Sequence, residues 1–448
     1  MCGKFTTYWT LSMCCMSVWI VVAAMDPSSW VEQQLVPKLV AHGCFGNKSG
    51  HRVETTKCKV VYKATGDDYF TSNIFFINLE FKFELQAPQE YSMFVKGAPE
   101  DPIFRKYFDA DALFHNELHM YTEVIPFMEK FLRKRQADLV GEIFAKCYYA
   151  ESGAACVGGR DIIVLEDMVP RGFTPSPERI FLDYEHCAVA LRRLARYHAV
   201  FYGMKKLETS QFHAMVKNIR TQNFGHFSPE DMSCVLKTIS YRGVRYLEVR
   251  QEMNRATLGR LKNRLEHAGQ HFVDLMEPKE PQALLCHGDF CRNNMLFCYD
   301  SGKPCDAVLF DFQTVTYASP TIDLSLFMYL NMSSQLRNQH WDDLFGEYHA
   351  TLTRTLAGFL GCSVEELFPD YGLDKFQKDF VAHGFYGYMI CSYFLGEMTV
   401  DRENQIDYKV MCRRNFRDLA DVYDSLGGEH VSQQLADILK HLSSKGAI

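Results

Sequence analysis

Two short motifs in the C-terminal half of the chain constrain its fold more than any other feature. Residues 287–294 read HGDFCRNN, and residues 308–313 read VLFDFQ. The first motif holds Asp289 and, five residues later, Asn294. The second is an apolar run typical of a buried strand, and it leads directly into Asp311. A fold that contains both motifs is expected to bring these three oxygen-bearing side chains together beside one strand end.

This arrangement suits the transfer of a phosphoryl group from ATP. A carboxylate must orient the attacking hydroxyl and accept its proton, and oxygen ligands must hold Mg²⁺ against the phosphates. We therefore predict that Asp289 is the catalytic base and that Asn294 and Asp311 are Mg²⁺ ligands. His287 is expected to hold the loop through hydrogen bonds rather than to carry a proton. An acidic loop beside a capped strand would explain each residue alone, but not all three in register.

The order of the predicted elements indicates an α+β protein with two lobes. Strand-like runs lie at residues 60–62, 74–83, 93–95 and 162–165, whereas helical periodicity dominates beyond residue 180. We predict a small β-rich N-lobe over residues 30–166 that contains the ATP-binding sheet and a helix. A larger, mainly helical C-lobe over residues 167–448 is predicted to contain the catalytic loop, the metal site and the substrate pocket.

The chain resembles the insect ecdysteroid kinase-like family, which is related to the choline kinase and aminoglycoside phosphotransferase branch of the protein-kinase-like fold. The family signature HGDxWxxNxxF fits residues 287–297, except that Cys291 stands at the usual Trp. The DFQ element at residues 311–313 and the Pro-x-x-Asp element that ends at Asp323 also fit, and the resemblance covers roughly residues 35–430. It implies a two-lobed kinase-like fold in which Mg·ATP phosphorylates an ecdysteroid hydroxyl to give an inactive phosphate ester. Asp323 is expected to brace the catalytic loop.

The resemblance also assigns the nucleotide-binding residues of the N-lobe. Lys96 looks like the strand lysine that contacts the α- and β-phosphates, and Glu117 is its expected partner in catalysis. Phe114, Glu117 and Tyr121 share one helix face, so Glu117 is predicted to point inward, and Pro126 is expected to end or kink this helix. The remaining predicted contacts to ATP are Asp68, Tyr69, Thr71 and Ser72 in the phosphate-covering loop, and Glu166, Asp167 and Met168 in the hinge. The acidic phosphate loop is expected to weaken nucleotide binding.

Other functions remain open. A detoxifying kinase of dietary or xenobiotic alcohols would use the same residues. A non-catalytic pseudokinase that binds a ligand or partner is suggested by the acidic phosphate loop and by Cys291, although the predicted lysine, glutamate, base and metal ligands are all present. A kinase that acts on proteins is disfavoured, because no Ala-Pro-Glu element follows Asp311.

Composition narrows the partners and the compartment. The chain has 448 residues, 47% of them apolar, which is enough for a large core. Its net charge of -7 and its lack of a basic run argue against nucleic acid, so a small-molecule alcohol is the expected partner. The sixteen cysteines include a group at Cys286, Cys291, Cys298 and Cys305, but its spacing matches no zinc pattern. Reduced cysteines in the cytosol are the simpler interpretation.

The first 24 residues are the ambiguous segment. Residues 9–24 are apolar and follow Lys4, as in a signal peptide or a marginal membrane anchor. Met25 offers an alternative start, which would make residues 1–24 an optional extension. We expect a cytoplasmic protein without stable membrane association, or a secreted or membrane-anchored one if these residues act as a leader.

Overall fold

The computed structural model describes residues 27–45, 53–61, 73–83, 87–135, 143–153, 160–221, 229–401, 404–415 and 417–448. The apolar segment 1–24 lies outside these ranges. So do four of the residues predicted to bind ATP, namely Asp68, Tyr69, Thr71 and Ser72. The predictions made for them therefore stay predictions.

A five-stranded antiparallel sheet forms the first part of the fold, with strand order β1-β2-β3-β5-β4. Its strands are β1 (Val53–Val61), β2 (Asn73–Phe83), β3 (Gln89–Gly97), β4 (Cys147–Glu151) and β5 (Ile162–Glu166). Side chains alternate along β3, so Met93 and Val95 pack into an apolar cluster on one face. Lys96 comes next in this alternation and is buried on the opposite face.

Helices flank this sheet and connect its strands. They are α1 (Pro27–Trp30), α2 (Val36–Ala41), α3 (Pro102–Tyr107), α4 (Ala110–His119) and α5 (Ile125–Lys134), with π-helical turns at Val31–Leu35 and Met120–Val124. The expectation that Pro126 ends or kinks its helix is wrong for the end, because the chain stays helical from α4 through α5. Pro126 lies in the first turn of α5, and the wider π-helical turn before it accommodates a residue without an N–H.

The second part of the fold is larger and mainly helical. Its helices are α6 (Tyr184–Leu207), α7 (Thr209–Lys217), α8 (Pro229–Arg250), α9 (Arg255–Glu266), α10 (Ala268–Met276), α11 (Thr321–Leu330), α12 (Ser334–Leu360), α13 (Phe368–Tyr371), α14 (Leu373–His383), α15 (Phe385–Thr399), α16 (Tyr408–Met411), α17 (Asp418–Ser425) and α18 (Gly428–Ser444). Short 3-10 turns lie at Val169–Arg171, Arg292–Asn294 and Glu365–Leu367. Five short strands complete it: β6 (Phe173–Thr174), β7 (Leu284–Cys286), β8 (Met295–Asp300), β9 (Lys303–Leu309) and β10 (Thr316–Ala318).

These strands and helices confirm the predicted α+β class, with a small β-rich part followed by a larger helical part. Strand β5 ends at Glu166, and the lobe boundary predicted there stays a prediction. All ten residues of α11 are buried, so this helix lies within the core of the helical part. Among the described residues, no helix combines the length and the apolar character needed to cross a membrane.

Candidate active site

The loop that follows β7 has a backbone shape that only glycine suits at its centre. Gly288 has a φ of 84°, which is in the left-handed region. A Cβ atom at this position would lie 1.9 Å from the carbonyl oxygen of Thr314. The Gly of the HGD motif therefore lets the loop pack directly against the segment that follows Asp311.

A buried carboxylate from α11 holds this loop through hydrogen bonds. Asp323 accepts hydrogen bonds from the backbone N–H groups of His287 at 2.7 Å and Gly288 at 2.8 Å. It also accepts one from His198 Nε2 at 3.0 Å, and the other ring nitrogen of His198 accepts from the Tyr348 hydroxyl at 2.7 Å. Burial lowers the pKa of His198, which favours the neutral ring that this network requires. The geometry matches the bracing role expected of Asp323.

His287 contributes to the same loop through its side chain. Its Nε2 atom donates to the carbonyl oxygen of Phe310 at 3.0 Å, which connects the loop to the end of β9. Its Nδ1 atom accepts a longer hydrogen bond from the backbone N–H of Asp289, at 3.4 Å. Both ring nitrogens are thus engaged, in agreement with a structural role.

The predicted base and one predicted metal ligand are in direct contact. Asn294, in a 3-10 turn, donates through Nδ2 to Oδ2 of Asp289 at 2.8 Å and to its carbonyl oxygen at 2.9 Å. Burial raises the pKa of Asp289, and the neighbouring charge of Asp311 adds to this increase, while His287 opposes it. A carboxylate with a raised pKa accepts a proton more readily than an ordinary aspartate.

Lys96 joins the two lobes of the site. Its Nζ atom lies 2.7 Å from Glu117 Oε2 and 2.9 Å from Asp311 Oδ1. The side chains of Lys96 and Glu117 are 5% and 1% exposed, whereas that of Asp311 is 25% exposed and reaches solvent. The ion pair predicted from the sequence is present, while the contact to Asp311 was not predicted.

The charges of this group influence one another strongly. Burial alone would lower the pKa of Lys96, but Asp311 and Glu117 raise it above its ordinary value, so the amine stays protonated. Burial raises the pKa of Glu117 to about 7, against the opposing effect of Lys96. The backbone N–H of Phe312 also donates to Glu117. This bond connects helix α4 to the DFQ segment.

The backbone at Asp311 has an uncommon conformation for a residue with a side chain. Its φ is 65°, in the left-handed region, although strand β9 ends only two residues before it. Strained positions of this kind cluster at functional sites, where the surrounding structure holds them in place. Here the contact with Lys96 holds the carboxylate.

The oxygen atoms of this region fit a Mg²⁺ ion by their chemistry. Asp311 Oδ1 contacts Lys96, and Oδ2 of the same carboxylate has no hydrogen-bond partner among the described residues. The amide nitrogen of Asn294 is used by Asp289, which leaves the amide oxygen as a donor for a cation. Carboxylate and amide oxygens are the ligands that Mg²⁺ prefers.

The hinge predicted to face adenine lies at the end of β5. The structure shows which of its backbone N–H groups already have an acceptor. The N–H of Glu166 donates to Lys146 O at 2.8 Å, and that of Asp167 donates to Ser92 O at 3.0 Å. The Asp167 carboxylate accepts from the Ser92 hydroxyl at 2.8 Å. The Met168 N–H has no acceptor within the described parts of the chain, so of these three N–H groups it alone is free to donate to a ligand.

Comparison with known proteins gives one family and several distant structures. No curated protein matches the chain. A GDP complex of a mutant aminoglycoside 2′-phosphotransferase-IIIa is 9% identical, covering 92% of this chain and 100% of that one, with a TM-score of 0.39. An aminoglycoside phosphotransferase from Alicyclobacillus acidocaldarius is 14% identical, covering 82% and 90%, with a TM-score of 0.33. Similarity at this level does not identify a ligand for this chain.

The second finding is a match to a family model. The model of the ecdysteroid kinase-like family matches residues 65–359, about two thirds of the chain, a shorter stretch than the sequence motifs suggested. The match contains the HGD, DFQ and Pro-x-x-Asp elements, Lys96 and Glu117. Together with the two-part α+β architecture, it agrees with the kinase-like fold predicted from the sequence. The chain belongs to the ecdysteroid kinase-like family.

Proposed function

We propose that this protein is a small-molecule kinase that transfers the γ-phosphoryl group of Mg·ATP to a hydroxyl, and that its acceptor is an ecdysteroid. The observation that carries the proposal is the contact of Lys96 with both Glu117 and Asp311, across the boundary between the β-rich and helical parts. In kinases, a lysine and glutamate pair of this kind must be in place beside the metal-binding aspartate. Family membership favours the ecdysteroid acceptor.

On the nucleotide side, Lys96 would contact the α- and β-phosphates. Glu117 and Asp311 fix its position, and burial keeps water from competing for its charge. Adenine would accept a hydrogen bond from the Met168 N–H. Asn294 and Asp311 would hold Mg²⁺, which neutralises phosphate charge when it is bound.

On the acceptor side, Asp289 would orient the hydroxyl and accept its proton. Two groups fix the carboxylate: Asn294 donates to it directly, and the loop that carries it is held by Asp323. The raised pKa of Asp289 supports its role as proton acceptor. Positioning of this kind supplies most of the rate enhancement in phosphoryl transfer.

The proposal can be tested by mass spectrometry. The full chain is mixed with Mg·ATP and a pool of ecdysteroids and plant alcohols, and each compound is examined for the gain of one phosphoryl group. Asp289→Asn removes the proposed base without changing the size of the side chain. Asp421→Asn is the matched control, because Asp421 is exposed and its side chain forms no hydrogen bond or ion pair with the described residues.

A phosphorylated ecdysteroid that forms with the wild type and with Asp421→Asn, but not with Asp289→Asn, would support the whole proposal. Phosphorylation of plant alcohols alone would keep the kinase and replace the ecdysteroid by a dietary or xenobiotic alcohol. No product together with no ATP binding in calorimetry would contradict the kinase and favour a pseudokinase.

A further inference from the structure

A polar cavity of about 340 Å³ lies between the first turns of α12 and the last turn of α18. Neither helix carries a residue of the proposed active site. Its walls include Arg337, Trp341, His441 and Lys445. The Trp341 ring lies 4.4 Å from the His441 ring and beneath the Lys445 amine, which is 5.8 Å from its centre. The cavity therefore has one aromatic wall and two cationic side chains, and two acidic side chains, Asp342 and Asp343, lie at its rim.

The other charged groups at the rim of this cavity are paired or lie in water. Lys445 Nζ lies 2.6 Å from Asp342 Oδ1, and His340 Nδ1 lies 3.4 Å from Asp343 Oδ2. The carboxylates of Asp342 and Asp343 are 85% and 67% exposed, so water screens them. Burial lowers the pKa of His441 to about 3, so this ring is neutral at physiological pH.

Arg337 is the exception, because its charge is buried without a partner of opposite sign. The residue is only 3% exposed. Its Nη1 atom donates to the carbonyl oxygen of Met332 at 2.6 Å, and its guanidinium lies 5.5 Å from the centre of the Tyr329 ring. Its Nε atom has no acceptor, and it forms no ion pair, among the residues that the structure describes. The carboxylate of Asp437 pairs with Lys440 instead, at 3.4 Å.

A buried guanidinium without a counter-charge is unfavourable unless an anion joins it. We propose that this cavity binds a small oxyanion, either a phosphate or a carboxylate, with Arg337 as its buried partner and Lys445 as its second cationic contact. Arginine suits such an anion, because its planar donors match two oxygen atoms at once. Trp341 closes one side of the site. The inference does not depend on the proposed kinase activity.

Trp341 provides a local signal for the test. The full chain is titrated with inorganic phosphate or with acetate at constant ionic strength, and tryptophan fluorescence is recorded with chloride as the reference anion. Trp341→Phe identifies the part of the signal that comes from the cavity. Arg337→Met removes the buried cation. Lys445→Met removes a partly exposed cation and leaves the hydrogen bond from Arg337 to Met332 intact.

We expect a saturable change with one of the two anions, absent in Trp341→Phe and in Arg337→Met. Lys445→Met should bind at least about tenfold more weakly, as expected for loss of one charge-assisted hydrogen bond. Saturation by phosphate alone would assign a phosphate site, and saturation by acetate alone a carboxylate site. The inference is overturned by a linear response to both anions, by equal affinity in Lys445→Met, or by a signal that survives in Trp341→Phe.

Discussion

Replacement of Asp323 tests whether this carboxylate braces the catalytic loop. It is fully buried and accepts from two backbone N–H groups of the loop, those of His287 and Gly288, as well as from His198. Asp323→Ala leaves all three donors without an acceptor. Asp323→Asn keeps one oxygen atom but points an amide N–H₂ group at the remaining donors. Both variants should therefore destabilise the protein, and alanine more than asparagine.

The magnitude follows from the number of donors. A buried donor that loses its acceptor costs about 1–3 kcal/mol, so the two backbone N–H groups alone give about 2–6 kcal/mol for Asp323→Ala. Asp323→Asn still satisfies one backbone N–H group, and we expect about half of that cost. Since whole proteins are stable by only about 5–15 kcal/mol, either change should be easy to measure.

Urea unfolding followed by circular dichroism and by fluorescence would measure the effect, with Asp421→Asn as the matched control. The control should lie within about 0.5 kcal/mol of the wild type, as surface substitutions usually do. In the fraction of Asp323→Asn that stays folded, ATP should still bind through Lys96, but turnover should fall because the loop that carries Asp289 is displaced. An unfolding midpoint of Asp323→Ala equal to that of the control would refute the bracing role.

Three further predictions concern individual parts of the site. Lys96→Met should weaken ATP binding at least about tenfold in calorimetry, because it removes a charge-assisted phosphate contact, whereas exposed Lys106→Met should bind as the wild type does. Gly288→Ala should lower the free energy of unfolding by more than Gly302→Ala does. Both glycines have positive φ, but only at Gly288 does the added Cβ meet a carbonyl oxygen. Equal losses of unfolding free energy would contradict the packing argument. The rate of phosphoryl transfer should fall on the acid side with an apparent pKa above that of an ordinary aspartate, about 3.9. Because its pKa is raised, Asp289 takes up a proton at a higher pH than an ordinary aspartate does, and the protonated carboxyl can no longer act as the base. A pH profile that stays flat down to that value would count against Asp289 as the base.

The parts of the site that local patterns determine were predictable from the sequence. The five-residue spacing from Asp289 to Asn294 brings their side chains within 2.8 Å across a short turn. The spacing of Phe114, Glu117 and Tyr121 follows the helical period, and Glu117 is indeed buried. The strands predicted at 74–83 and 162–165 were found because apolar, β-branched and aromatic residues dominate them.

Features that depend on pairing between distant segments were not predictable. No local pattern brings Lys96 to Asp311, because this contact depends on how the sheet packs against the end of β9. The register of β3 and β5 decides that the Asp167 N–H donates to the Ser92 carbonyl oxygen, whereas the Met168 N–H has no acceptor among the described residues. The positive φ at Asp311 also left no signal, since the residue is not the glycine that such a conformation favours.

Residues 311–314 connect the two halves of the proposed site. From one side, helix α4 reaches this segment twice, through Glu117, which accepts from the Phe312 N–H, and through Asn116, which donates to Gln313 O at 3.2 Å. From the other side, the catalytic loop packs on it at Gly288, with no space for a side chain between them. A shift of helix α4 would therefore move Asp311 and press on the loop that carries Asp289. Because the proposed nucleotide contact at Lys96 and the proposed base Asp289 share this one segment, a disturbance of helix α4 should reach the base without any change in the residues that bind substrate.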